Sequence, residues 1–283
     1  MTFLAIILAV LLFQAWGSAQ RLHHDSWFTS WQSRVASWGL SGTLSLALLV
    51  LLPAVLVSYA LDVIEPFLFG LMWLALAAFL LLYCFGRGDF QASMSGYRGH
   101  AYSGDFEAAY LAACEDFGWD ESVEAPETAL EVHAMIQRAL LYEGMQRWFA
   151  VLFYFVLLGP AGALVYRLLQ LCRDSFEPDT AQRWLFLLDW LPARLLSATF
   201  TVTGDFIGSR DSLFAGLRDS GADAGALLYR VGVAALGSKG FSDPEADTVF
   251  GPEAAAQNRE FDALLSRSAV CWIVVLALLV LLF

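Results

Sequence analysis

Long apolar stretches alternate with polar ones along the whole chain. The apolar runs cover residues 2–19, 43–61, 66–85, 148–167 and 268–283. A helix crossing about 30 Å of hydrocarbon needs roughly 20 apolar residues, so each run is read as a membrane helix. The last has only 16 residues and reaches across with help from the helix before it or from a thinned bilayer. None of the runs alternates at period two, so barrel strands are excluded. The first run carries the small residues Gly17-Ser18-Ala19 but no basic residue ahead of it, and is read as a retained helix rather than a cleaved leader. The expected fold is all-α and polytopic, a single membrane domain of four to five transmembrane helices over residues 1–283.

Composition agrees. Of 283 residues, 58% are apolar and 16% charged, against about 45–50% and 25% in soluble domains. The net charge of −12 argues against nucleic acid, which calls for a basic footprint. The lipid bilayer is the first partner implied.

Basic residues set the expected orientation. Arg21 and Arg34 follow the first run, and Arg87, Arg98, Arg138 and Arg147 follow the third; the link after the second has none. Those two loops are therefore placed in the cytoplasm and the N-terminus outside. A simple crossing at 148–167 would leave ten of the sixteen basic residues outside. Gly159-Pro160 sits inside that run, where proline removes a donor and glycine loosens the helix. The segment is thus expected to be broken or re-entrant. Alternatively, residues 184–203 cross back or lie at the interface. Either way the polar regions 87–147 and 204–267 are cytoplasmic.

In the first polar region, Gly86 to Gly104 is Gly/Ser-rich and reads as loop. A short helix follows, ending at Gly118, and another runs from Pro126 to about Glu143. The region holds eleven acids against four basic residues, which reads as solvated surface. In the second region helices are expected over 180–203, 211–219, 223–236 and 252–267. Residues 161–167 and 224–230 share the pattern Ala-Gly-Ala-Leu-x-Tyr-Arg, but the flanks differ and no repeat is inferred.

Enzyme motifs are absent: no phosphate loop, no nucleophile elbow, no Cys-x-x-Cys pair. Cys84, Cys114, Cys172 and Cys271 are far apart and read as free thiols. His23 and His24 are the metal candidates, although adjacent residues on a helix point in different directions. Trp16, Trp27, Trp31 and Trp38 read as interfacial anchors.

The informative cluster runs from Glu143 to Arg194. Ionisable groups at membrane depth are costly and face a partner or a wet cavity. One reading is an interfacial helix whose charges reach the headgroups. The other is a cytoplasm-open pocket lined by Glu143, Arg147, Tyr166, Arg167, Asp174, Asp189 and Arg194, taking a small anionic or amphipathic ligand through its arginines.

Met1-Thr2-Phe3-Leu4, the run Trp148-Phe149-Ala150-Val151-Leu152-Phe153 into Gly159-Pro160-Ala161-Gly162-Ala163, and Leu188-Asp189-Trp190-Leu191-Pro192-Ala193-Arg194 resemble the AmpE family. The resemblance implies a bacterial inner-membrane protein, a signalling modulator associated with β-lactamase induction and cell-wall stress, with room for a homo-oligomer. It also implies kinship with the CobD/CbiB cobalamin-biosynthesis enzymes, ATP-dependent amide ligases, and so a nucleotide or tetrapyrrole as cofactor. Those enzymes carry Gly-Pro-x-Gly-Ala-x-x-Tyr-Arg-x-x-Asn-Thr-Leu-Asp-Ser-Met. Here Gly159, Pro160, Gly162, Ala163, Tyr166 and Arg167 keep its first half. Gln170, Arg173 and Asp174 replace its asparagine, aspartate and serine. An arginine in place of a carboxylate reverses the charge where a metal-bound phosphate would be held; the resemblance thus implies a modulator with no catalytic residue assigned, the alternative being an ATP-dependent amide ligase or a corrinoid- or tetrapyrrole-binding protein.

Overall fold

The computed structural model describes residues 2–16, 25–86, 89–119, 126–173, 176, 178–237 and 247–282. Among these there are twelve α-helices and no strand. They are α1 (Thr2–Trp16), α2 (Ser26–Ala36), α3 (Gly42–Ile64), α4 (Leu71–Cys84), α5 (Phe90–Ser103), α6 (Phe106–Phe117), α7 (Ala129–Gly144), α8 (Ala150–Arg173), α9 (Pro178–Thr203), α10 (Phe206–Arg218), α11 (Ala224–Ala235) and α12 (Asp247–Leu282). Five helical stretches are long and apolar enough to cross a membrane: Gly42–Ile64, Phe67–Cys84, Ala129–Arg173, Pro178–Thr203 and Phe250–Leu279. The all-α polytopic membrane fold is therefore what the chain adopts.

The chain forms two compact units. The first comprises Met1–Gly88, Gln146–Pro192 and Leu279–Phe283, the second Asp89–Met145 and Ala193–Leu278. In the first unit α4 packs on α1 and α8, and α3 packs on α8. Ala5, Ala9, Ala77 and Ala78 are buried, small residues that let apolar helices approach closely. In the second unit α6 packs on α5 and α7, and α11 on α7 and α10.

One expectation changes and two are refined. Residues 90–103, read as loop, form helix α5. Phe90, Met94, Tyr97 and Ala101 recur at helical spacing and are buried, Asp89 caps the start by accepting from Ala92 N, and Gly104 ends it in the left-handed region. Gly96 and Gly99 point into open space, so they weaken the helix without disturbing its packed face. The run 66–85 is a short 3-10 turn, Phe67–Gly70, followed by α4. The last run continues the preceding segment as one helix of 36 residues, long enough to cross without thinning. The described part of the first run is a helix of 15 residues.

The break at Gly159-Pro160 is a reversal. Gly159 has φ 74° and ψ −169°, open only to glycine. Gln170 and Arg173 bond to Gln146, 24 and 27 positions earlier, whereas a straight helix would hold those residues about 36–40 Å apart. The segment is thus a helical hairpin, with arms over 146–158 and 160–173 and Val156, Leu157 and Leu158 exposed beside its tip. Each arm is about 20 Å long at about 1.5 Å per residue, short of the hydrocarbon thickness of about 30 Å. By contrast α9 continues through Pro192 for 26 residues, about 39 Å.

Candidate functional site

The open end of the hairpin gathers polar side chains within the first unit. A π-helical turn, Met145–Phe149, opens the first arm; such turns are frequent at functional positions. It carries Gln146 and Arg147. The second arm brings Tyr166, Arg167, Gln170 and Arg173 back alongside, and α9 contributes Asp189.

Asp189 is 1% exposed and is the buried carboxylate among the described residues. Its Oδ1 accepts from Tyr166 Oη at 2.5 Å and its Oδ2 from Gln146 Nε2 at 2.9 Å. Gln146 is the hub. Its Oε1 accepts from Arg173 Nη1 at 3.2 Å, and its carbonyl accepts from Gln170 Nε2 at 3.5 Å. Gln170 Oε1 in turn accepts from Arg167 Nη1 at 2.8 Å. The ring of Tyr154 stacks on Tyr166 at 5.3 Å and its hydroxyl donates to the Leu188 carbonyl at 2.7 Å. Arg147 lies against Gly86: Gly86 N donates to its carbonyl at 3.2 Å, and a Cβ on Gly86 would fall 2.1 Å from Arg147 Cγ.

Arg147 and Arg167 are both buried, and Arg173 partly so. Among the described residues of this unit the buried charge is therefore two arginines to one carboxylate. Buried guanidinium groups hold their place only with dense hydrogen bonding, and their planar forks suit carboxylate or phosphate.

Of the residues singled out in the sequence, Arg147, Tyr166, Arg167 and Asp189 belong to this unit, and Tyr166 and Asp189 touch. Glu143 and Arg194 belong to the second. Arg194 Nη2 there donates to the Asp219 carbonyl at 2.6 Å, at the C-terminal end of α10. Asp174, His23 and His24 lie outside the described residues. Gln146 and Tyr154 were not singled out, and Gln170 only as a departure from the enzyme motif; neutral amides and a phenol in apolar sequence carry no charge penalty to draw attention, and their signal is only adjacency to Arg147, Arg167 and the tyrosine pair.

The second unit buries a polar network of its own. His133 Nε2 faces Gln257 Oε1 at 2.7 Å, and its Nδ1 meets the Tyr97 hydroxyl. Burial pushes the Tyr97 phenol well above its usual value, so it keeps its proton and donates to Nδ1, while Nε2–H donates to Gln257. Asn258 Nδ2 donates to Gln137 Oε1 at 2.9 Å and contacts Met94 Sδ at 3.3 Å, and Arg98 Nη1 donates to Asn258 Oδ1 at 3.2 Å.

A metal-nucleotide of the ligase type does not fit these donors. Both oxygens of Asp189 are occupied by Tyr166 and Gln146. No group of three metal-ligating side chains occurs among the described residues. No catalytic step is derived.

Fold and site together define a helical membrane protein built around a hairpin with a charged, hydrogen-bonded base. The chain belongs to the AmpE family: the family model described as "Regulatory signalling modulator protein AmpE" matches residues 1–282. Its family role is therefore regulatory signalling. No curated protein and no solved structure matches it.

Proposed function

We propose that the chain is a bacterial inner-membrane modulator that reports a small anionic or amphipathic ligand bound at the hairpin base, and that its output bears on β-lactamase induction under cell-wall stress. The observation that carries this reading is the meeting of Arg167 and Arg173 with Gln146, Gln170 and Asp189 at the open end of a folded-back helix, where Arg147 is also buried against Gly86. Asp189, Tyr166 and Gln146 fix the frame. The arginines supply charge and planar donors for a phosphate or carboxylate, and the apolar arms accommodate a lipid-like tail. In this reading the hairpin re-enters from the cytoplasm and α9 lies at the interface without crossing, so that the N-terminus is outside and residues 87–147 and 204–267 are cytoplasmic.

Native mass spectrometry of the full chain, extracted in mild detergent, tests the site. The expected result is a co-purifying small anion that is lost from R147A and R167A while the helical circular dichroism is kept. In cells lacking the wild-type chain, both variants are expected to alter the induction of a β-lactamase reporter. The proposal fails if ligand occupancy and reporter response are unchanged in both variants. Nucleotide turnover with an organic acid by the purified chain would also overturn it.

A further inference from the structure

We infer that α10 is an in-plane membrane-surface helix, with one apolar face set in the acyl–headgroup boundary and its arginines on anionic lipid phosphates. The argument stands wholly within the second unit. Helix α10 begins two residues after α9 ends, turned by Asp205, whose Oδ1 caps it by accepting from Ile207 N at 3.0 Å and Gly208 N at 3.1 Å. Its inner edge is made of small residues. Ser209 and Gly216 are buried, and a Cβ on Gly216 would fall 2.2 Å from Leu227 Cδ1 of α11. At the turn, Asp205 N donates to the Ala235 carbonyl at 2.6 Å, and a Cβ on Gly204 would fall 2.4 Å from that oxygen. That edge is closed.

The face turned away is open. At about 100° per residue, Phe206, Leu217, Phe214 and Ile207 share one side of α10, and all are exposed, Ile207 at 86%. Leu195 and Val202 at the end of α9 are exposed as well, so an uncovered apolar surface runs from α9 onto α10.

Charge decides what covers it. Arg210 rises from the middle of the apolar side and Arg218 from its edge, both exposed, with Arg210 Nε 3.3 Å from Asp211 Oδ1. A second protein seated here would bury Arg210 in apolar contact at the cost of its hydration. At a lipid surface the stem lies along the acyl boundary while the guanidinium reaches the phosphates. In a chain of net charge −12, this helix carries two arginines against one aspartate, the sign an anionic leaflet attracts. Residues 204–267, expected to be a soluble cytoplasmic region, thus begin on the membrane surface.

The test uses the full chain with Cys271→Ser, in nanodiscs of phosphatidylglycerol and phosphatidylethanolamine. Cys84, Cys114 and Cys172 are buried, so nitroxides can be placed singly through I207C, F214C and D211C. Power-saturation spectra then compare collisions with oxygen and with a water-soluble nickel chelate. Oxygen is expected to dominate at 207 and 214, and the chelate at 211. Equal chelate access at all three positions overturns the proposal. So does dipolar broadening at 207 or 214 that disappears on dilution with unlabelled chain, which would place a second copy on this face. The labelled positions are exposed, and helical circular dichroism matching the unlabelled chain confirms that each variant is folded.

Discussion

Both units bury polar side chains where helices meet, but they do so with different chemistry. In the first, the hairpin base holds formal charge: Arg167 and Arg173 with Asp189, joined through Gln170 and Gln146, and Arg147 against Gly86. In the second, the network of His133, Tyr97, Gln137, Gln257 and Asn258 is neutral; the buried Arg194 lies apart from it on the Asp219 carbonyl, and the nearest ion pair, Arg98 with Asp262 at 3.5 Å, sits at the partly exposed edge. A neutral network needs only donors matched to acceptors, and it fixes how helices register. A charged one with an excess of cations costs desolvation that packing alone does not repay. The difference is why the proposed ligand site is placed in the first unit, while the neutral network of the second is one of helix packing.

The sharpest test of that contrast removes the carboxylate. Asp189→Ala strands the Tyr166 hydroxyl and the Gln146 amide in a buried site, at about 1–3 kcal/mol for each unsatisfied donor. The expected loss is about 2–6 kcal/mol, read as a lowered midpoint of thermal unfolding in detergent. Asp189→Asn keeps an acceptor and is expected to lose less. A variant as stable as the parent would mean that the base of the hairpin is solvated and not a buried frame.

Next in size is the reversal itself. Gly159→Ala meets no neighbour, since nothing lies within 4 Å of an added Cβ. Its cost is therefore backbone strain alone, about 1–3 kcal/mol for a conformation essentially reserved for glycine. Ligand retention at the hairpin base should fall with it, because the second arm's angle places Tyr166 and Arg167. The second unit should be unaffected: hydrogen exchange in α5 and α7 is expected to match the parent. Loss of protection in both units together would break the separation drawn above.

These features were unequally legible. The reversal could be read because Gly-Pro inside an apolar run violates helix chemistry, and Asp189 because a carboxylate in greasy sequence is costly. Helix α5 was hidden: Ser93, Ser95, Gly96 and Gly99 imitate a loop, and only the spacing of Phe90, Met94, Tyr97 and Ala101 betrays a buried face. The hub Gln146 and the His133 network depend on partners 43 and 124 positions away, and no local pattern encodes such pairings. The tie of Arg194 to a backbone carbonyl was equally beyond reach, since any residue could supply that oxygen.

A gentler change addresses the neutral network. Replacing Gln137 and Asn258 together with leucine removes donor and acceptor at once, which can be nearly neutral when shape is kept. Each single change leaves the other amide unpaired. A double-mutant cycle is therefore expected to show coupling of about 0.5–3 kcal/mol, with the double variant more stable than the worse single one. The same pairwise removal at Gln146 and Asp189 should not rescue, because the buried arginines keep their charge. Rescue at both places would erase the distinction between the two networks.

The smallest expected effect lies at the edge of the second unit. Arg98 Nη1 approaches Asp262 Oδ2 at 3.5 Å with about a fifth of each side chain exposed, 21% and 22%. An ion pair that reaches water is worth about 0.2–1 kcal/mol. Arg98 also donates to Asn258 Oδ1, and that bond ties the surface pair to the neutral core. Arg98→Ala is therefore expected to lower stability slightly, and part of the loss should vanish in high salt, where exposed pairs are screened. The remainder, insensitive to salt, reports the bond to Asn258. If all of the loss were screened, the amide would owe nothing to the arginine. If none were, Arg98 would act as part of the buried network, and the second unit would hold a working charge of its own.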